Sequence, residues 1–239
     1  MRLAVFAPAL PSHVSAAAAL AGALRRRGCE AIFLHREEAM SLVDASGPLR
    51  GESLGRPGGR IADHEACIGR LARPGGPLGV RRVVADMAAQ SQWLIERGPD
   101  VVRGLGAQGV VADQMEIAGA VVARACGLPY VSVAAALPIE RSDAAPPPMI
   151  GWGHDPSPGG VQRNRAGAAV ADLLMRPLQR VAGLRLHEAV SPLASLWQLT
   201  PSLDFPRAPD PTQHYVGALR AAARPPVEAR PRGRPRAYV

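Results

Sequence analysis

The chain has 239 residues, of which 47% are hydrophobic and 20% charged, and it carries a formal net charge of +8. That balance excludes a wholly disordered chain, and the length suffices for a sizeable core. No run of about 18 apolar residues is free of charge or proline, which excludes a transmembrane helix of the usual kind.

Aromatic residues make up only 4%, so the core must be built from Ala, Val, Leu and Ile. All 28 basic residues are Arg, and seven of them, against two acids, fall in residues 207–239. The basic excess is therefore largely a property of the C-terminal stretch. No aromatic-interleaved basic patch accompanies it, so it reads as a solvated linker and no nucleic-acid partner is expected.

In chain order, Leu3–Ala7 (LAVFA) is a short apolar run ended by Pro8, which predicts a buried strand. The interruptions at Pro8, Pro11 and His13 speak against a signal peptide. Ser15 is the expected N-cap of a helix over Ala16–Arg27, with Gly28 at its C-terminal turn. Ala31–His35 (AIFLH) is the next strand, and His35 to Glu38 are expected to start a helix. Strand, helix and strand in this spacing form a βαβ unit, so a parallel sheet follows.

Residues 47–60 and 73–79 read as loops. A helix is predicted over Leu78–Arg97, stopped by Gly98-Pro99. Gly109–Asp113 (GVVAD), a helix over Met115–Ala125 and Tyr130–Ala134 (YVSVA) make a second βαβ unit. Residues 144–160 are rich in Pro and Gly and predict a long functional loop. Val161–Val181 is a predicted helix divided by Pro177, and Leu196–Leu199 and His214–Val216 are predicted short strands. Residues 1–220 are expected to form one domain and 221–236 a Pro/Arg-rich linker. Residues 237–239 then look like the first residues of a further strand.

Ligands of open parallel sheets bind outside the carboxyl ends of the strands, so the first βα loop is the first place to search. It contains no Gly, hence no GxGxxG for a dinucleotide, and the chain has no Lys for a phosphate-binding loop. It offers His13, and an imidazole can take a proton at physiological pH. Asp113 ends the GVVAD strand and would emerge at the same sheet edge, where a carboxylate can hold the imidazole tautomer. A plain helix N-cap is the other reading of Asp113. His64 and Glu65 read as surface, since they have no partner at metal spacing. Cys29, Cys67 and Cys126 include no CxxC, so neither a disulfide framework nor a zinc site is indicated and a reducing cytoplasm is expected.

The stretch LAVFAPALPSHVSAAAALAGALRRRGCEAIFLH resembles the opening of UDP-sugar-dependent glycosyltransferases of the GT-B fold. That opening runs strand, loop with Pro-x-His, Ala/Leu helix ending Arg-x-Arg-Gly, and strand. VVADQMEIAGAVVARACGLPYVSVAAALPIE is similar to the family's second landmark, and PPPMIGWGHDPSPGGVQRNRAGAAVADLLMRPLQR with SPLASLWQLTPSLDFPR resembles bacterial zeaxanthin glucosyltransferases. The resemblance implies an α/β, Rossmann-like parallel sheet flanked by helices, the N-terminal half of a GT-B fold.

It further implies that His13 is the catalytic base and Asp113 its partner, in a single inverting displacement of a nucleotide diphosphate that needs no metal. The acceptor would be a hydrophobic alcohol such as a carotenoid, with Pro11, Gln114, Met115, Leu137 and Pro138 as candidate acceptor-binding residues. A UDP-sugar would be the co-substrate, held by a C-terminal domain beginning near residue 237. The expected location is the cytoplasm, with peripheral contact at the inner face of the membrane. The stretch between Gln179 and Ser191 is shorter than the family pattern. A non-catalytic or partner-dependent acceptor-binding module is the alternative.

Overall fold

A computed structural model describes residues 1–220, apart from 48, 59, 60 and 149. The expected linker at 221–236 and the strand start at 237–239 lie outside the described residues. Seven strands form one sheet: β1 (Arg2–Phe6), β2 (Glu30–His35), β3 (Arg50–Ser53), β4 (Gly109–Asp113), β5 (Tyr130–Ala134), β6 (Ser195–Trp197) and β7 (Gln213–Tyr215). Their order is β3-β2-β1-β4-β5-β6-β7, and every pairing is parallel. The chain winds outward from β1 in one direction and from β4 in the other, which makes the β1/β4 boundary the topological switch point.

The helices are α1 (Pro11–Arg25), α2 (Met40–Asp44), α3 (His64–Ala72), α4 (Pro77–Gly104), α5 (Ala118–Ala125), α6 (Pro158–Leu174) and α7 (Arg176–Ala182). They cover both faces of the sheet. Alternate residues of each strand face opposite sides, so Ala4, Phe6, Ile32 and Leu34 pack with Leu94, Val102 and Val122 of α4 and α5. Val5, Ala7, Phe33 and Val111 pack instead with Val14, Ala18, Ala21 and Val43 of α1 and α2. Burial on both faces explains why the central strands read as continuous apolar runs.

Several boundaries differ from expectation for local reasons. The first helix starts at Pro11, four residues before the predicted cap, because Pro is preset for a first helical position. Its N-cap is Leu10, which makes no side-chain cap, so His13 lies inside the first turn rather than in the loop. The helix ends at Arg25, and Gly28 takes the left-handed turn at φ +76°. A strand, β3, forms within the predicted loop 47–60. It is a polar edge strand that pairs only with β2, so no apolar pattern announces it.

Gly98-Pro99 does not stop α4, which continues to Gly104. A Cβ on Gly98 would come within 2.8 Å of a Val122 methyl, so this Gly serves a close helix–helix approach. The fully buried Val102 beyond it anchors the last turn, and tertiary packing outweighs the missing Pro99 hydrogen bond. The second landmark helix begins at Ala118 instead of Met115, after a turn built on Asp113 and Glu116. Pro177 divides the later helix as expected, separating α6 from α7. Ser157 caps α6 by accepting from Gly160 N–H at 3.1 Å. The last two strands each start one residue earlier than predicted, and β6 also ends two residues earlier, at Trp197.

Candidate active site

The register of the central strands assembles the site. β1 and β4 pair with Phe6 opposite Ala112, so the loop after β1 and the end of β4 open at one edge. Leu10 N–H donates to Pro8 O at 2.7 Å, a tight turn that leads the chain into α1. His13 then faces back across the strand ends toward Asp113. His13 Nδ1 and Asp113 Oδ2 lie 2.7 Å apart, and both residues are buried, at 7% and 5% exposure.

The other Asp113 oxygen, Oδ1, accepts from Met115 N–H at 2.9 Å. Asp113 is thus the histidine partner through one oxygen, while the other holds the turn after β4; it is not a helix N-cap, because the next helix starts only at Ala118. A carboxylate can only accept, so the Nδ1 position carries the proton of this pair. Nε2 has no protein partner among the described residues and is the atom left to act on a ligand.

His13 lines a cleft of about 760 Å³, counting its open mouth, between the strand ends, α3 and α4. Its walls are apolar: Leu10, Ile68, Leu71, Val83, Met87 and Met115. Its lining also includes the buried polar residues His35, Arg36, Ser91 and Glu116, together with His64, Gln90 and Asp86. Mostly apolar walls with a few convergent polar groups are the usual make-up of a small-molecule site.

The polar lining residues have unusual electrostatics. Burial pushes the Glu116 carboxyl up to about 7, opposed by hydrogen bonds from Ser91 and the Ala118 N–H. Ser91 Oγ–H donates to Glu116 Oε1 at 2.7 Å. Burial likewise holds the His35 imidazole down to about 3, and the neighbouring His64 and Arg36 add to the effect. His64 is lowered by burial and by Arg36. The Cys67 thiol is raised by burial and by Asp86. Arg36, itself buried, donates to Glu38, to the Ala62 carbonyl and to Gln90 Oε1.

Of the expected acceptor-binding residues, Met115 lines this cleft beside His13. Pro11 is exposed at the start of α1, just outside it. Gln114 is buried and turned away. It donates to Glu140 Oε1 at 2.7 Å and to Ser195 Oγ at 2.9 Å, and accepts from Ile139 N–H at 2.9 Å. Leu137 is exposed and Pro138 buried, and neither borders the cleft. The long loop after residue 144 lines a second pocket instead, against α6, with Ala145, Pro146, Asn164 and Asp172.

His64, expected at the surface, is half-buried on the cleft wall. His35 and Arg36, expected only to start a helix, border the cleft too. His35 ends an apolar strand as Asp113 does, and that shared position was the available signal. Gln90, Ser91 and Glu116 carried no comparable signal. Among the described residues no group of three His, Cys, Asp or Glu could hold a metal ion.

No family model matches the chain. It is 35% identical over 234 residues to the zeaxanthin glucosyltransferase of Pantoea ananas, covering 93% of this chain and 54% of that protein. It is 34% identical to the zeaxanthin glucosyltransferase of Pseudescherichia vulneris, covering 99% of this chain and 58% of that one. The chain therefore spans little more than half the length of the curated relatives it matches.

Among solved structures it is similar to the spinosyn rhamnosyltransferase SpnG complexed with thymidine diphosphate, at a TM-score of 0.53 and 20% identity, over 89% of this chain and 49% of that one. It is also similar to the glycosyltransferase VinC in complex with dTDP, at 0.53 and 16%, over 89% and 52%. These likenesses carry the fold alone: a seven-stranded parallel sheet with flanking helices, matching about half of each of those GT-B glycosyltransferase structures.

Proposed function

We propose that this chain is the acceptor-binding half of a glycosyltransferase that moves a hexosyl group, glucose, from a UDP-sugar to a hydroxyl of an apolar alcohol such as zeaxanthin. The observation that carries this reading is the buried His13–Asp113 pair facing an apolar cleft at the switch point of the sheet. The likeness to two zeaxanthin glucosyltransferases supports this reaction class and this choice of acceptor.

The apolar walls hold the body of the alcohol and bring its hydroxyl to His13 Nε2. As the oxygen attacks the anomeric carbon, its proton passes to Nε2 while the bond from that carbon to the diphosphate breaks. UDP leaves, and the sugar configuration inverts. Asp113 fixes the imidazole through Nδ1 and offsets the charge of the imidazolium as it forms. A positioned base contributes about 10²–10⁴-fold. The remainder comes from alignment and from stabilising the diphosphate, a task for the half that holds the donor. No step draws on a metal.

The three cysteines are free and half-buried, which suits a reducing cytoplasm. No helix among the described residues is long and apolar enough to cross a membrane. A lipid-dissolved acceptor would then be reached from the membrane surface at its inner face.

The reading is tested by joining the chain to the C-terminal half of the Pantoea ananas relative and supplying zeaxanthin and UDP-glucose. A glycoside is expected by mass spectrometry. A fusion that binds both substrates and yields none rejects the proposal.

A further inference from the structure

Of the residues that line the cleft, Leu71 alone is exposed, at 42%, so it marks the mouth. It lies in the last turn of α3, and every residue from there to Leu78, at the start of α4, is exposed. Leu78 itself is 74% exposed. Arg70 of α3 donates to Asp86 of α4 at 2.6 Å, which ties the two helices together behind this corner. Apolar surface therefore continues at Leu71 from the inside of the cleft to the outside of the molecule.

The corner is also basic. Residues 70–85 contain four Arg and no Asp or Glu. Arg70 is paired with Asp86, whereas Arg73, Arg81 and Arg82 are exposed and make no ion pair among the described residues. The acids of α3, Asp63 and Glu65, stand at its opposite end. Exposed leucines among unpaired arginines, with no aromatic residue in the segment, match an anionic lipid surface and lack the stacking groups that single-stranded nucleic acid requires. Two other surfaces share only part of this character. Arg25, Arg26 and Arg27 are exposed at the far end of α1, with no exposed leucine beside them. Val170, Leu173 and Leu174 form an exposed apolar stripe on α6, which does not border the cleft.

We propose that the α3–α4 corner docks on an anionic lipid bilayer. Leu71 and Leu78 enter the headgroup layer, and Arg73, Arg81 and Arg82 pair with lipid phosphates. The mouth of the cleft then opens onto the membrane, and an apolar alcohol passes into it without crossing water. Neither signal suffices alone, since two leucines bury little and arginines are screened by salt, but together they give a reversible attachment. The inference rests on the cleft being the acceptor site, and it names the surface through which that site is filled.

The test floats the chain, with no acceptor or donor, on vesicles of equal parts phosphatidylcholine and phosphatidylglycerol, and on phosphatidylcholine alone. Binding to the anionic vesicles is expected, and it should weaken as salt rises. Arg81→Gln together with Arg82→Gln should weaken it by about 30-fold, or about fivefold for each charge. Leu78→Ser should weaken it by about tenfold. These side chains are exposed, so the thermal midpoint should not move. The same loss of charge at Arg26 and Arg27, or at Arg232 and Arg234, should cost much less. Equal losses from the three arginine pairs overturn the proposal, because binding would then follow net charge alone. A loss in Leu173→Ser that Leu78→Ser does not show also overturns it. Failure of the unaltered chain to float overturns the docking surface and leaves the acceptor cleft standing, and a dimer dissolved by Leu78→Ser would then assign the corner to a second copy of the chain. Docking through the corner with no glycoside from the fused enzyme rejects the acceptor reading while the docking stands.

Discussion

His13 and Asp113, 100 residues apart in sequence, meet at 2.7 Å between Nδ1 and Oδ2 because β1 and β4 are parallel neighbours ending at one sheet edge. The carboxylate fixes which nitrogen carries the proton. In Asp113→Asn the amide oxygen can still accept from Met115 N–H, but the amide nitrogen now donates to the imidazole and forces the proton to Nε2. Transfer by the fused enzyme should fall on the order of 10²–10⁴-fold in kcat, with acceptor affinity little changed. Steady-state kinetics of the variant beside its thermal midpoint separate this loss from unfolding.

Glu116 should make the fold sensitive to rising pH. Its carboxyl is raised from 4.5 to about 7 in the folded chain, chiefly by burial. Between those values the folded state binds more protons than the unfolded state, so stability falls as pH rises through the window. The full difference is on the order of 3 kcal/mol at most. Glu116→Gln, which can still accept from Ser91 and the Ala118 N–H, should flatten the dependence of the urea midpoint between pH 5 and 8. An unchanged slope would assign the pH dependence to other groups.

The two strand–helix–strand units were legible because apolar runs closed by Pro or Gly leave few alternatives. That His13 and Asp113 meet was legible for a related reason, since both residues follow or end such runs at one sheet edge. The polar edge strand β3 was not, because Arg50–Ser53 pairs on one side only and buries little. The reach of α4 past Pro99 was hidden as well, because it depends on Val102 filling a core that only the folded chain defines. Gln90 and Ser91 lie on the inward side of that helix, and helical spacing does not distinguish a side chain facing the core from one facing a cleft.

Gln114 marks where position alone misleads. It follows Asp113 at the same edge, yet its side chain ties together Ile139, Glu140 and Ser195. Glu140 Oε1 also accepts from Ser195 Oγ–H at 2.5 Å and from the Trp197 indole N–H at 2.8 Å. Gln114→Ala should therefore cost about 1–3 kcal/mol of stability in urea unfolding by leaving buried partners unpaired. Loss of acceptor affinity with stability intact would contradict this structural role.

Gly119 sets how closely α5 approaches the strands that carry the site. A Cβ there would come within 2.8 Å of Ala112 Cβ and 3.0 Å of Phe6 Cβ. Ala normally favours a helix over Gly by about 1 kcal/mol. Here the clash should win, and Gly119→Ala should destabilise by about 1–3 kcal/mol in calorimetry or urea unfolding. A stabilised variant would show that α5 can shift freely without disturbing the neighbouring Asp113.

The account stands most directly on His13 as the base that takes the acceptor proton. Its test is the rate of glucosyl transfer by the fused enzyme carrying His13→Ala, at saturating acceptor and donor. The account predicts a fall on the order of 10²–10⁴-fold with acceptor binding retained. A rate unchanged from that of the unaltered fusion would contradict it.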